Sequence, residues 1–195
     1  MDESTFKERQ RQLREEMIID AARELLASQD YAELSMDAIA AKVGISKKTL
    51  YQHFQSKEDL AVQVIVRLLR RAAQRFQEQD PSLPAIVQLE LALRKSIEDR
   101  AGMTIAFKIA AQPDYQDHLR HMKEALIRLI EMAKAQGDIR PELPTPAIVG
   151  LITRLFRDHY TDMLPYCPLQ GISDAWLSII LHGIRRQPQQ PEPTV

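Results

Sequence analysis

The residues best suited to chemistry with a partner are Lys47, Lys48, Thr49, Tyr51, Gln52, His53 and Lys57. On a helix, at about 100° per residue, Leu50 and Phe54 share one face and Lys48 and Gln52 centre the opposite one, with Thr49 and Tyr51 at its edges. A polar face of this kind fits a DNA major groove. Lysine donates to guanine O6 and N7, glutamine pairs with adenine, and the Thr49 methyl can meet a thymine methyl. Lys47, in the first turn, also reaches outward. The Tyr51 hydroxyl, His53 and Lys57 suit phosphate oxygens. Lys57 also opens the next helix, where unpaired backbone N–H groups favour anions.

Charge is informative only locally. The chain of 195 residues has a formal net charge of −1, and residues 1–60 hold 9 Lys and Arg against 12 Asp and Glu. Within residues 38–57, however, stand Lys42, Lys47, Lys48 and Lys57 and no acid at all. The expectation is a small basic face on an otherwise acidic domain.

The elements that must position this face follow from periodicity and caps. A first helix is expected over 11–28, with Leu13, Met17, Ile18, Ala21, Ala22, Leu25 and Leu26 as its apolar stripe. Ser35 caps a second helix over 36–43, and Gly44 supplies a left-handed end to it. Ser46 caps a third helix over 47–54. Gly44-Ile45-Ser46 alone then separates two helices, which is the helix-turn-helix pattern. Ser35 and Ser46 join the expected DNA-facing set because they open the two helices of that unit. Ser56 starts a fourth helix to about residue 77, with acids in its first turn.

Further helices are expected at 84–100, 103–111, 114–136, 145–163 and 173–186, punctuated by Gly102, Pro113, Gly137, Pro141, Pro144 and Pro165. No Gly-flanked run alternates with period two, so an all-α fold is expected. The tail 187–195 has no apolar face and reads as disordered. No run of about 18 apolar residues suggests a membrane span, and the polar N-terminus argues against a secretory leader. A lone cysteine, Cys167, excludes an intrachain disulfide and fits a reducing cytoplasm.

Residues 39–60, Ile-Ala-Ala-Lys-Val-Gly-Ile-Ser-Lys-Lys-Thr-Leu-Tyr-Gln-His-Phe-Gln-Ser-Lys-Glu-Asp-Leu, closely resemble the DNA-binding segment of the TetR/AcrR regulator family. The matching elements are Ile39-Ala40, Gly44-Ile45-Ser46, Thr49-Leu50-Tyr51, His53-Phe54 and Ser56-Lys57-Glu58, together with the Ser35-Met36 entry. The resemblance covers about residues 12–65. It departs at Asp30, where the family usually has Gly, and at Leu26, where it often has an aromatic nearby.

The resemblance implies an N-terminal arm and three-helix DNA-binding domain over 1–58, then a helical ligand-binding and dimerisation domain over 59–186. It further implies a homodimer on palindromic operator DNA and a small effector that releases a repressor. Effector candidates are Arg94, Phe107, Tyr115, His118 and Met122. The sequence adds its own support for a dimer. Apolar residues spread widely around the helix containing Leu151 and Leu155 and around the one containing Trp176, Ile180 and Ile184, so both need burial on two sides. Burial within one subunit is the alternative.

Other function classes fit less well. No Gly-rich phosphate loop or metal-ligand spacing occurs, so no enzyme activity, cofactor or metal is expected. His118 and His121 with Asp114 or Asp117 could reach one ion, but a polar helix face is the plainer account. A helical protein-interaction module would explain the amphipathic helices, yet not the acid-free stretch over 38–57. An activator rather than a repressor is also compatible with the sequence.

Overall fold

The computed structural model describes residues 3–28, 31–78, 80–99, 113–157 and 169–186. Among them are eight helices and no strand: α1 (Glu3–Ser28), α2 (Met36–Val43), α3 (Lys47–His53), α4 (Lys57–Gln77), α5 (Ala85–Glu98), α6 (Pro113–Ala135), α7 (Thr145–Arg157) and α8 (Leu169–Ile184). The helix expected over 103–111, the end of the one expected to reach 163, and the tail 187–195 lie outside the described residues.

The chain divides into two compact units. The first comprises residues 1–71 and 98–120, the second residues 72–97 and 121–195. The change of unit at residue 72 falls inside α4, so one continuous helix supplies residues to both.

In the first unit, α1 contributes Ile18, Ala22 and Leu26, α2 Met36, Ile39 and Ala40, α3 Leu50, and α4 Leu60, Val64 and Ile65 to a single core. Tyr115 at the start of α6 joins the same cluster. Two features of α1 differ from expectation. It begins at Glu3, not near residue 11, because Glu, Arg and Gln are good helix formers and Arg11 pairs with Glu15 one turn on at 3.0 Å. Its apolar residues also do not form one stripe: Leu13 and Met17 are exposed, while Ile18, Ala21 and Ala22 are buried. Leu13 and Met17 sit about 100–140° round the helix from Ile18, too far to share its face.

In the second unit, Leu89 and Leu93 of α5, Leu126, Leu129 and Ile130 of α6, Ile148 and Ile152 of α7, and Leu177, Leu181 and Ile184 of α8 are buried. Gly137 ends α6 with φ +82°, a backbone conformation that penalises any Cβ. The amide of Asp138 bonds back to Ala133 O at 3.0 Å and that of Gly137 to Lys134 O at 2.9 Å, satisfying carbonyls the helix would otherwise leave open. Just beyond, Arg140 donates its amide to Ile184 O and Arg186 donates to Asp138 O, an isolated antiparallel bridge that ties the end of α6 to the end of α8.

Candidate nucleic-acid interface

The geometry of α2 and α3 is set by three caps. Ser35, in extended backbone, accepts the Ala38 amide on its Oγ at 3.1 Å and starts α2. Gly44 closes it with φ 75°, its amide reaching Ala41 O, while the Ile45 amide bonds Ala40 O at 3.0 Å. A Cβ on Gly44 would meet nothing within 4 Å, so the demand for glycine here comes from the left-handed backbone and not from crowding. Ser46 then accepts the Thr49 amide at 3.0 Å and starts α3. The next cap is reciprocal: Ser56 Oγ accepts the Asp59 amide and Asp59 accepts the Gln55 amide, both at 3.0 Å, which fixes the start of α4.

Leu50 and Phe54 anchor α3 in the core and thereby rotate its other side to solvent. Lys48, Tyr51 and Gln52 are exposed there. Lys48 has no hydrogen-bond or ion-pair partner among the described residues. An unpaired lysine and an open glutamine on a helix pinned by its opposite face are what a base-reading surface requires.

The other expected contacts are already engaged within the protein. Lys47 pairs with Asp37 at 2.9 Å, and that hydrogen bond holds its ammonium above the ordinary lysine value. Thr49 shares a hydroxyl contact of 2.8 Å with Ser46. His53 is mostly buried, with Nδ1 at 3.2 Å from Glu15 Oε1. Lys57 donates to Ala32 O at 3.2 Å and lies 4.4 Å from the centre of the Tyr31 ring. The Tyr31 hydroxyl in turn donates to Glu58 at 3.2 Å. Burial first, and then the Glu58 charge, push the Tyr31 phenol up to about 12.

The sequence missed the acids that approach this basic stretch in space. Glu24 pairs with Lys42 at 3.0 Å and Asp37 with Lys47, so half of the four lysines of residues 38–57 are neutralised by side chains outside that window. No local spacing announces pairs that cross a turn or join α1 to α2. Glu15, Tyr31 and Asp37, all unassigned from sequence, are thus parts of the site's framework.

The effector candidates fall in different places. Arg94, in the second unit, pairs with Glu90 at 3.0 Å and Asp174 at 3.4 Å. Met122, also in the second unit, is buried. Tyr115 is buried in the core of the first unit. His118, in the first unit, has Nε2 at 2.6 Å from Arg70 Nε and Nδ1 at 2.8 Å from Asp114 O, so both ring nitrogens are engaged. Phe107 lies outside the described residues. Among those residues no group of three His, Cys, Asp or Glu side chains converges to hold a metal, and no helix is long and apolar enough to cross a membrane.

The dimer candidates divide similarly. Leu151 and Trp176 are exposed, as is Ile179 beside them in the sequence pattern, whereas Ile180 and Ile184 turn into the core of their own unit. The side chain of Leu155 is not among those described.

Two capped helices, a three-residue turn with a left-handed glycine, and an open polar face on the second helix define a helix-turn-helix DNA-binding module. Comparison with known proteins then places the chain. Residues 18–64 match the family described as bacterial regulatory proteins, tetR family, and that match covers the helix-turn-helix segment of the chain.

Over 85 residues it is 39% identical to the HTH-type transcriptional regulator EthR of Mycolicibacterium smegmatis, covering 44% of this chain and 38% of EthR. The chain therefore spans well under half the length of that relative, and the likeness is confined to part of it. A TetR-family regulator from Agrobacterium tumefaciens superposes with a TM-score of 0.69 at 19% identity, over 90% of this chain and 100% of that one. FadR from Bacillus subtilis, in a complex with stearoyl-CoA, superposes with a TM-score of 0.58 at 20% identity, over 86% and 98%. At these identities the structures establish the shared all-helical fold.

Proposed function

We propose that this protein binds a near-palindromic operator as a homodimer and represses transcription until a small molecule releases it. The observation that carries the DNA half is the solvent-facing Lys48–Gln52 side of α3, fixed by the burial of Leu50 and Phe54. Lys48 and Gln52 meet base edges, with Thr49 and Lys47 at the margins. Tyr51, Ser35 and Ser46 sit on the phosphate side, and Lys57 and His53 brace the unit from beneath through Tyr31 and Glu15.

The dimer half rests on exposed apolar surface in the second unit. Leu151 on α7 is 53% exposed, and Trp176 and Ile179 on α8 are 45% and 63% exposed. Gly150 and Gly183 leave open space where a Cβ would stand, so a partner helix can approach closely there. Two-fold symmetry in the protein is mirrored in the operator, hence the near-palindrome. Release by an effector is supported by likeness of fold to a protein that holds stearoyl-CoA. Of the effector candidates, Arg94 and Met122 stand together in the second unit.

In vitro selection from random duplexes, followed by light scattering of the free protein and the complex, tests both halves. The expected result is an inverted repeat and a particle of about twice the chain mass of 22.4 kDa before DNA is added. A monomer in solution with an asymmetric site would overturn the two-headed arrangement. For release, an effector that weakens DNA binding must itself be bound less tightly, by the same factor, when DNA is present.

A further inference from the structure

We propose that Arg23 of α1 and Arg67 and Arg71 of α4 form a binding site for the phosphate group of a small molecule, a site apart from the face assigned to DNA. The inference goes beyond the DNA-binding function and does not depend on it.

The three guanidinium groups converge on one carboxylate. Asp20 lies 3.4 Å from Arg67, 3.8 Å from Arg23 and 3.9 Å from Arg71. Helical spacing brings them together: Asp20 and Arg23 are neighbours at i,i+3 on α1, and Arg67 and Arg71 at i,i+4 on α4. All four lie in the first unit. No other acid among the described residues pairs with these arginines. Glu24 is taken by Lys42 at 3.0 Å, and Glu16 gives Arg67 only its backbone carbonyl, at 3.2 Å. Arg70 turns instead to His118. Three cations against one anion leave an excess of two positive charges, on arginine side chains only 25–35% exposed.

The donors of this cluster are also underused. At 3.8 and 3.9 Å, Arg23 and Arg71 are within Coulomb reach of Asp20 but beyond hydrogen-bond distance. The Arg23 Nε is buried and has no hydrogen-bond acceptor. A buried donor without an acceptor is rare in folded proteins. Here it stands within an excess of positive charge, so the acceptor that suits it is an anion. A phosphate monoester carries about −1.5 to −2 charges at neutral pH, with three acceptor oxygens. It offsets the excess and presents paired oxygens to guanidinium forks, whereas a carboxylate offsets only half. The cluster is remote from the start of α4. Arg67 and Arg71 lie about 15–21 Å along that helix from Lys57, at 1.5 Å per residue. A phosphate held here ties α1 to α4 and stabilises the first unit by mass action.

Calorimetric titration of the full chain with inorganic phosphate, without DNA and at constant ionic strength in chloride, tests the site. The expected result is saturable binding at millimolar concentration or below, competition by sulfate, and a melting temperature that rises with phosphate but not with acetate. Arg23→Gln with Arg71→Gln should weaken phosphate binding by about tenfold or more. Asp20→Asn removes the competing carboxylate and should tighten it several-fold. The opposite signs separate a binding site from loss of folding, because a damaged unit would bind less in both variants. Wild-type protein with no saturable response to phosphate overturns the site, as does Asp20→Asn protein that binds phosphate no more tightly than wild type. On a duplex selected by the wild-type protein, the double arginine variant should keep the wild-type slope of log K against log salt. A shallower slope would assign these arginines to the DNA backbone and overturn the small-molecule site. Because the titration needs no DNA, wild-type protein that selects no duplex would overturn the DNA-binding function alone.

Discussion

The α2–α3 part of the first unit and the α7–α8 part of the second differ in which kind of surface they leave open. In the first, apolar side chains of α2, α3 and the start of α4 are largely inside, and polar ones on α3, above all Lys48 and Gln52, stand open. In the second, one group of polar side chains is tied together: Glu90 holds Arg94 and Arg185, the latter at 2.8 Å, and Arg94 also reaches Asp174. There it is the apolar residues Leu91, Leu151, Trp176 and Ile179 that face solvent. Open polar groups suit a charged, hydrogen-bonding partner, and open apolar ones suit another protein surface. The contrast supports the proposal that the first unit meets DNA and the second meets another copy of the chain.

The largest expected effects separate the units by their cores. Leu50 and Ile130 are both fully buried, and truncating either to Ala should cost about 2–5 kcal/mol of stability. Leu50→Ala should in addition weaken DNA binding by the protein that remains folded, because Leu50 sets the rotation of α3. Ile130→Ala should leave affinity per folded dimer unchanged. Denaturant melts paired with anisotropy titrations measure both quantities, and equal losses of DNA affinity would break the contrast. Next in size, Trp176→Asp should weaken the dimer by more than about tenfold by placing a charge in a dry contact, seen as a concentration-dependent mass in sedimentation.

Smaller effects sharpen the account of the turn. Gly44→Ala should destabilise by about 1–2 kcal/mol through its left-handed backbone alone, and Ser46→Ala by about 1 kcal/mol through loss of the cap. The smallest is a pH effect. The Tyr31 phenol titrates near 12 in the folded protein against 10.0 ordinarily. The folded state therefore holds that proton more tightly than the unfolded state. The associated stability is full below about pH 10 and is lost as pH rises from 10 toward 12. Tyr31→Phe should make that decline shallower, and an unchanged slope of stability between pH 10 and 12 would show that Tyr31 is not held as described.

The same contrast explains what the sequence made legible. Helices α2 and α3 and their turn were readable because caps and a left-handed glycine are local rules: Ser35, Gly44 and Ser46 announce themselves within a few residues. The rotation of α3 followed from the i,i+4 spacing of Leu50 and Phe54. What was not readable was tertiary. Asp37 and Glu24 approach Lys47 and Lys42 only after the chain has turned, and Glu15 meets His53 from 38 residues away. The stripe expected on α1 is too wide at Leu13 and Met17, which lie about 100–140° round the helix from Ile18 and outside the face that the core covers. In the second unit, periodicity identified apolar arcs on α7 and α8. It did not say that Ile180 and Ile184 would face inward while Trp176 and Ile179 face out.

The most direct test of the base-reading face is a repeated in vitro selection with wild-type protein and the Lys48→Ala and Gln52→Ala variants, each scored for the bases it prefers at every position. Both side chains are exposed, so folding is expected to be intact. The expected result is a loss of preference at matching positions in both half-sites, equivalent to about 1–3 kcal/mol per base pair, with the remaining positions unchanged. Identical selected sequences and affinities for all three proteins would contradict the assignment of α3 as the helix that reads DNA.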